Sequence, residues 1–355
     1  MSDSSDPVQN PELSERERSV LDAVVRAYVS TAEPAASRAM AKSSGLGVSA
    51  ATIRNTMSDL EEKGYLFHPH TSAGRIPTDL AYRYFVDRIM APRALNRRER
   101  GRVEQAIDSN SSAVEQLVGQ AAKALGLLTH ELGLAIAPHL DETVLEKIEL
   151  VRASSSTVLM VATVRGGLVR TVFVDLRSEV PADTLVTLTV ILNERLSGLT
   201  LRQIRESLPE RLRDSTSGDA AADEMINIFV QSGADLFNWS ELKAGGVHLG
   251  HASVLAAQPE FSSGEGLKNL LELTERTELL QMVLANRPPG GGLQITIGGE
   301  HDSSELSDFS LITAEYRAGN LKGVIGVIGP TRMPYEKVIA IVDYTSTLVN
   351  RILDS

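Results

Sequence analysis

"SAATIRNTMSDLEEKGYLFHPHTSAGRIPT", residues 49–78, decides how the rest of the chain is read. Its first half places apolar residues at Ile53, Met57 and Leu60, one face of a helix. Ser49 suits the N-cap of that helix and Gly64 the position just past its end. The opposite arc presents Ala51, Arg54, Asn55 and Ser58, with Thr52 at its edge. The second half, "HPHTSAGRIPT" at 68–78, has neither a helical nor a strand period, yet it carries two histidines, two prolines, a glycine and an arginine. Pro69 and Pro77 stiffen it, and Gly74 is expected to allow a tight turn from which Arg75 projects. His68, His70, Thr71 and Ser72 add hydrogen-bond donors beside it.

Two further helices precede this stretch. Ser14 and Glu17 match a capping box, and Val20, Leu21, Val24, Val25 and Tyr28 form one apolar stripe. A short second helix runs from about Ser37 and closes near Gly45. Three helices followed by a strand and a stiff loop is the order of a winged helix-turn-helix, whose third helix lies in the DNA major groove while the wing touches backbone or minor groove. Short hydroxyl, amide and guanidinium groups near a helix N-terminus suit base edges and phosphates, and alanine meets a thymine methyl. On the helix alone, an ordinary solvated face accounts for Arg, Asn, Ser and Thr equally well. The stiff basic loop after it favours DNA. The candidate DNA-binding residues are therefore Ser49, Ala51, Thr52, Arg54, Asn55, Ser58, His70, Thr71, Ser72, Gly74 and Arg75.

Charge placement agrees. The 355 residues carry a formal net charge of −11, but residues 1–100 hold 14 Lys and Arg against 13 Asp and Glu. The acidic excess therefore lies in the remainder, and residues 63–100 hold 8 basic side chains against 3 acidic. That asymmetry suits a polyanion-facing N-terminal module on an acidic body. No run of eighteen apolar residues and no secretory leader pattern is present, which points to a cytoplasmic protein without a membrane partner. The absence of cysteine removes disulfides, thiolate zinc sites and thiol nucleophiles.

Beyond residue 92 the pattern is mixed. Two amphipathic stretches reach to about Leu134. "TVLMVATV" and "VRTVFVD" then read as a hairpin, residues 183–285 are mostly helical in pattern, and "LQITIG", "FSLITAEYR" and "KGVIGVIGP" return to strands before a helix over Tyr335–Leu353. A helical block between two sets of strands suggests an insertion inside an α+β domain. Other motifs lack their context. "GLGVSA" at 45–50 matches a dinucleotide fingerprint without the strand that must precede it, and Gly45 reads as a helix stop. The glycines of "GVIGVIG" at 323–329 read as close packing within a strand. The pairs His68/His70 and His248/His251 have no cysteine or carboxylate cluster at ligand spacing. No catalytic motif, metal site or cofactor is assigned, and the chain is not expected to be an enzyme.

"SAATIRNTMSDLEEKGYL" followed by "PHTSAGRIPTDLAYRYFVD" resembles the N-terminal signature of the HrcA heat-inducible transcription repressors of bacteria. "LNERLSGLTL" and the closing "YRAGNLKGVIGVIGPTRMPYEKVIAIVDYTS" are similar to the same family, so the likeness covers nearly the whole chain from about Leu13. Ala81 stands where the family usually has glycine, which bears on the local helix start. The resemblance implies α+β architecture: a disordered tail at 1–12, a winged-helix DNA-binding domain at 13–92, a GAF-like domain at 93–190 and 290–355, and a mainly helical dimerisation domain inserted at 191–289. It also implies a homodimer that binds inverted-repeat operator DNA to repress class I heat-shock chaperone operons, with the GroEL chaperonin as modulator. A reading of a different class stands beside it: a small-molecule sensor or enzyme with a GAF-like pocket and a helical module that docks on protein.

Overall fold

The computed structural model describes residues 12–69, 74–107, 114–137, 143–165, 169–175, 181–213, 220–237, 246–287, 292–318 and 321–353. The chain is a mixed helix-and-sheet protein. It opens with helices α1 (Glu15–Thr31), α2 (Ser37–Ser43) and α3 (Ala50–Glu62). A two-stranded ribbon of β1 (Leu66–Phe67) and β2 (Ile76–Pro77) follows, then α4 (Asp79–Tyr84). The capping box at Ser14 and Glu17 is formed on both sides. Thr78 caps α4, so Ala81, fully buried, leaves the start of that helix intact. The helix widens to a π turn at Phe85–Ile89, where the Met90 N–H donates to the Phe85 carbonyl.

The body is built on a five-stranded antiparallel sheet in the order β7-β3-β10-β9-β8. Its strands are β3 (Leu132–Ile136), β7 (Val247–Leu249), β8 (Leu293–Ile297), β9 (Phe309–Ala318) and β10 (Leu321–Pro330). Alternation sends Ala135, Ile312, Ala314, Tyr316, Ile325 and Val327 to one face, against α6 (Val114–Thr129) and α13 (Tyr335–Leu353). Leu132, Leu134, Ile136, Leu311 and Ile328 point to the other, under α10 (Ser253–Ala256), α11 (Gly264–Glu275) and α12 (Thr277–Ala285). Both faces are covered, which is why β3 reads LGLAI and is buried throughout. A shorter helix, α5 (Arg97–Ala106), joins the N-terminal module to α6.

A second sheet, β4-β5-β6, has its own core. Leu145 and Ile148 of β4 (Leu145–Arg152), the alternate residues Val158, Met160, Ala162 and Val164 of β5 (Thr157–Val164), and Val174 of β6 (Val169–Asp175) pack against three helices. These are α7 (Ala182–Leu196), α8 (Leu201–Leu212) and α9 (Ala220–Leu236). The Asn193 amide of α7 clips β4 by accepting from the Ile148 N–H at 2.8 Å and donating to its carbonyl at 2.7 Å. The hairpin before α7 thus shares one core with the helices after it. Residues 247–287 return to the five-stranded sheet through β7. The inserted unit spans about 143–237.

The N-terminal module and the body share one apolar cluster, in which the Tyr82 and Tyr335 rings lie 5.8 Å apart. Polar contacts frame it. The Asp79 carboxylate accepts from the Gly299 N–H at 2.9 Å. Arg83 ion-pairs with Glu300 and donates to the Ile295 carbonyl at 2.7 Å. Arg26 pairs with Glu336 at 2.7 Å with its guanidinium over the Phe85 ring. Arg332 ion-pairs with Glu260 and donates to the Val29 carbonyl at 2.7 Å. That carbonyl belongs to the last turn of α1, which has no partner within its own helix.

One carboxyl at this seam is almost wholly buried. Glu131 is 2% exposed and receives a 3.0 Å hydrogen bond from the Gln258 amide. Burial raises its pKa from an ordinary 4.5 to about 8, against the opposing pull of Gln258, Arg332 and Lys337 and with a smaller push from Glu260. Below about pH 4.5 the folded and unfolded chains both hold this proton. Between 4.5 and 8 only the folded chain does, so the stability owed to this group falls as pH rises through that window. The neutral variant Glu131→Gln should therefore melt above the parent near about pH 9 and lose that advantage near about pH 5, a difference of a few kcal/mol at roughly 1.4 kcal/mol per unit. Parallel melting curves across pH would show that Glu131 does not fold as the neutral acid.

Candidate nucleic-acid interface

The sequence places α3 on the surface with one face buried, and the structure agrees residue by residue. Ile53, Met57 and Leu60 are buried against the preceding helices, together with Thr56, whose hydroxyl donates to the Thr52 carbonyl at 3.1 Å. Ser49, Ala51, Arg54, Asn55 and Ser58 are exposed and Thr52 half-buried, so all six candidates on this helix share the free arc. Ser49 is the N-cap: its hydroxyl accepts from the Thr52 N–H at 3.1 Å and lies 2.9 Å from the Thr52 hydroxyl. Those two hydroxyls therefore already have local partners, whereas Arg54, Asn55 and Ser58 point outward without a side-chain hydrogen bond among the described residues.

Local chemistry fixes both ends of α3. Gly45 and Gly47 adopt φ of +63° and +67° in the turn after α2, a conformation other residues rarely take. A helix, not a strand, precedes "GLGVSA". At the C-terminus Gly64 has φ +80°, its N–H bonds the Glu61 carbonyl at 2.9 Å, and the Tyr65 N–H bonds the Leu60 carbonyl at 2.9 Å. This Schellman closure turns the chain straight into β1. Lys63 then reaches back 2.6 Å to Glu17, which is also held by Ser14, so the end of α3 is pinned to the start of α1. The ammonium is the main reason the Glu17 carboxyl titrates below its ordinary range.

The ribbon differs from expectation at two residues. Arg75 does not project. Its guanidinium ion-pairs with Glu61 of α3 at 2.7 Å, and its backbone N–H and carbonyl pair with Ala35 at 3.0 and 2.8 Å. Gly74 is required for close approach rather than for a tight turn: a Cβ there would overlap the Ala35 carbonyl and stand 2.6 Å from the Pro34 carbonyl oxygen. His70, Thr71 and Ser72 lie outside the described residues. Missed by sequence reasoning were Glu61, which neutralises Arg75 from the same helix, and the Pro34–Ala35 backbone, which docks the ribbon. The acidic "DLEE" run held the first signal, since Glu61 follows Leu60 on the edge facing the loop.

Gly74→Ala should consequently lift the ribbon off residues 34–35, because the obstacle is backbone that no rotamer change can move. We expect a loss of roughly 1–3 kcal/mol in chemical denaturation together with faster amide exchange at Ala35 and Arg75. Unchanged exchange at those two amides would show that the ribbon docks by other means.

Among the described residues no group of three or more His, Asp or Glu side chains is placed to hold a metal ion, and no helix is long and apolar enough to cross a membrane. A family model described as "HrcA protein C terminal domain" matches residues 115–339. The heat-inducible transcription repressor HrcA of Chlorobium phaeobacteroides (strain BS1) is 38% identical over 345 residues, covering 94% of this chain and 96% of that protein. The repressor of the same name from Geobacter sulfurreducens is 36% identical over 349 residues, covering 97% and 99%. A crystal structure of a hypothetical protein at 2.2 Å resolution shares the fold, with a TM-score of 0.70 and 21% identity over 96% of this chain and 99% of its own. With relatives this similar over nearly its full length, the chain belongs to the HrcA family of heat-inducible transcription repressors.

Proposed function

We propose that the protein is a repressor of heat-shock genes that binds operator DNA as a homodimer. Residues 13–92 would act as a winged helix-turn-helix, residues 114–137 and 247–353 as a GAF-like body, and the unit at 143–237 as the dimerisation domain. The observation that carries this reading is the free arc of α3, where Arg54, Asn55 and Ser58 stand exposed on a helix whose ends are fixed by Ser49 and Gly64. A rigid helix with short polar groups and one guanidinium is what base-edge recognition in the major groove requires. GroEL would act as modulator through the folding of the repressor itself, a reading that rests on the family likeness.

The dimer rests on a different surface. The outer face of the second sheet aligns Val151, Leu159 and Phe173 across its three strands, and Phe173, Val169 and Val151 are at least half exposed. On the opposite, helical side of the unit, α7 leaves Val186 and Val190 exposed, one turn apart. The apolar residues aligned on the outer sheet face are exposed surface of the kind that marks an interaction site. Phe173→Asp should then shift the protein from dimer to monomer in analytical ultracentrifugation, and an unchanged sedimentation profile would remove this face from the interface.

The DNA reading is tested by titrating a duplex carrying an inverted repeat, and a scrambled control, across salt concentrations. Binding to the repeat should be at least about 10³-fold tighter. Asn55→Ala and Thr52→Ala should each reduce that discrimination by about 1–3 kcal/mol. Arg75 must leave Glu61 to reach a phosphate, so Glu61→Gln should tighten binding to both duplexes, while Arg75→Ala should weaken both and lower the salt slope by about one. Equal affinity for the two duplexes would overturn the repressor reading.

A further inference from the structure

Between α1 and the start of α13 the seam opens into a cleft of about 610 Å³, within the roughly 300–1,000 Å³ of small-molecule sites. Its floor is apolar: Val25 and Val29 from the N-terminal module, Phe85, and Met333 from the body. Two polar groups line it that no role described so far uses. One is the buried carboxyl of Glu131, held on one side by Gln258. Gln258 is itself locked, donating to the His130 carbonyl at 2.8 Å and accepting from Arg332. The other is the Lys337 ammonium, which forms no ion pair among the described residues.

Charge decides which guest fits. Arg332 is spent on Glu260 and the Val29 carbonyl, Arg26 on Asp22 and Glu336, and Arg93 on Glu99, yet all three guanidiniums line or rim the cleft with Lys337. Each of these guanidiniums is matched by a carboxylate, which leaves the Lys337 ammonium as the cation of the lining without an ion pair among the described residues. A carboxylate meets Lys337 as a counter-ion and, in its protonated form, the Glu131 hydroxyl as a donor, while its apolar remainder lies on the floor. We propose that this cleft is a binding site for a small organic monoanion, with Lys337 and Glu131 holding its carboxylate and the α1–Met333 floor its apolar body. The floor belongs to the module and the walls to the body, so an occupant ties one to the other. Its effect on operator affinity rests on the DNA-binding reading above; the binding itself does not.

Isothermal titration of the full-length protein with sodium benzoate, and with benzylamine as the cationic counterpart, tests this. Benzoate should bind saturably, one per chain, with a Kd on the order of 1 mM or tighter and at least about tenfold more tightly than benzylamine. Lys337→Glu should weaken benzoate by about tenfold or more. Ser30→Trp should abolish it, because Ser30 is exposed at the mouth and can be enlarged without entering the core. Leu271→Ser, on an exposed apolar residue of α11, should leave it unchanged. The proposal is overturned by an absence of saturable benzoate binding, by benzylamine binding as tightly, or by indifference to both cleft variants. Loss of operator discrimination with benzoate binding intact would overturn the DNA reading alone.

Discussion

The Arg332 guanidinium is the joint on which the arrangement of module and body depends. It stands in the connection between β10 and α13, ion-pairs with Glu260 beside α10, and caps the last turn of α1 through the Val29 carbonyl. An arginine suits this position because its planar fork serves a carboxylate and a carbonyl together, and because the C-terminal end of a helix favours a cation. The side chain is mostly buried. Removing one partner would leave a desolvated charge, which is far more destabilising than the net worth of the pair. Around it the direction is reversed: Arg26, Asp79 and Arg83 are charged module groups satisfied by the body. The module is thus an extension of the body's core, with its α3 arc turned away from that core and free.

The apolar cores are divided unevenly among the parts of the chain. The inserted unit keeps its own core, whereas the module and the central sheet share one. Loosening the shared core releases the module's α1, and α3 is pinned to α1 through Lys63 and Glu17. The placement of α3 and the folding of the body are then linked by contacts.

Much of this was legible in the residues because local chemistry dictated it. The α1 capping box, the α3 phase and its terminal glycine, the strands β8 to β10 and the span of α13 all follow from side chains within a few positions of one another. What was not legible depends on partners far away in sequence. Arg75 reads as a free cation until α3 brings Glu61 beside it, and Gly74 reads as a turn residue until Pro34 and Ala35 pack where its Cβ would be. The union of the hairpin with the helices after it depends on distant partners in the same way, through a shared apolar core and the Asn193 clip onto Ile148.

The glycines of "GVIGVIG" show how such a signal can be present but encoded in the wrong residue type. Gly323, Gly326 and Gly329 fall at period three on a strand of period two, so they alternate faces of β10. On one face a Cβ at Gly323 would overlap the Tyr316 ring, and one at Gly329 would overlap the Glu131 carboxyl. On the other, a Cβ at Gly326 would run into the backbone of β9, standing 2.9 Å from the Thr313 Cα. Gly329 therefore makes the space in which Glu131 is buried, and it is burial that turns an ordinary glutamate into a neutral acid. Nothing about Glu131 in "THELG" distinguishes it from the other acids of the chain. The mark of its chemistry is a glycine about two hundred residues away, where a missing side chain lets a carboxyl lie against the sheet.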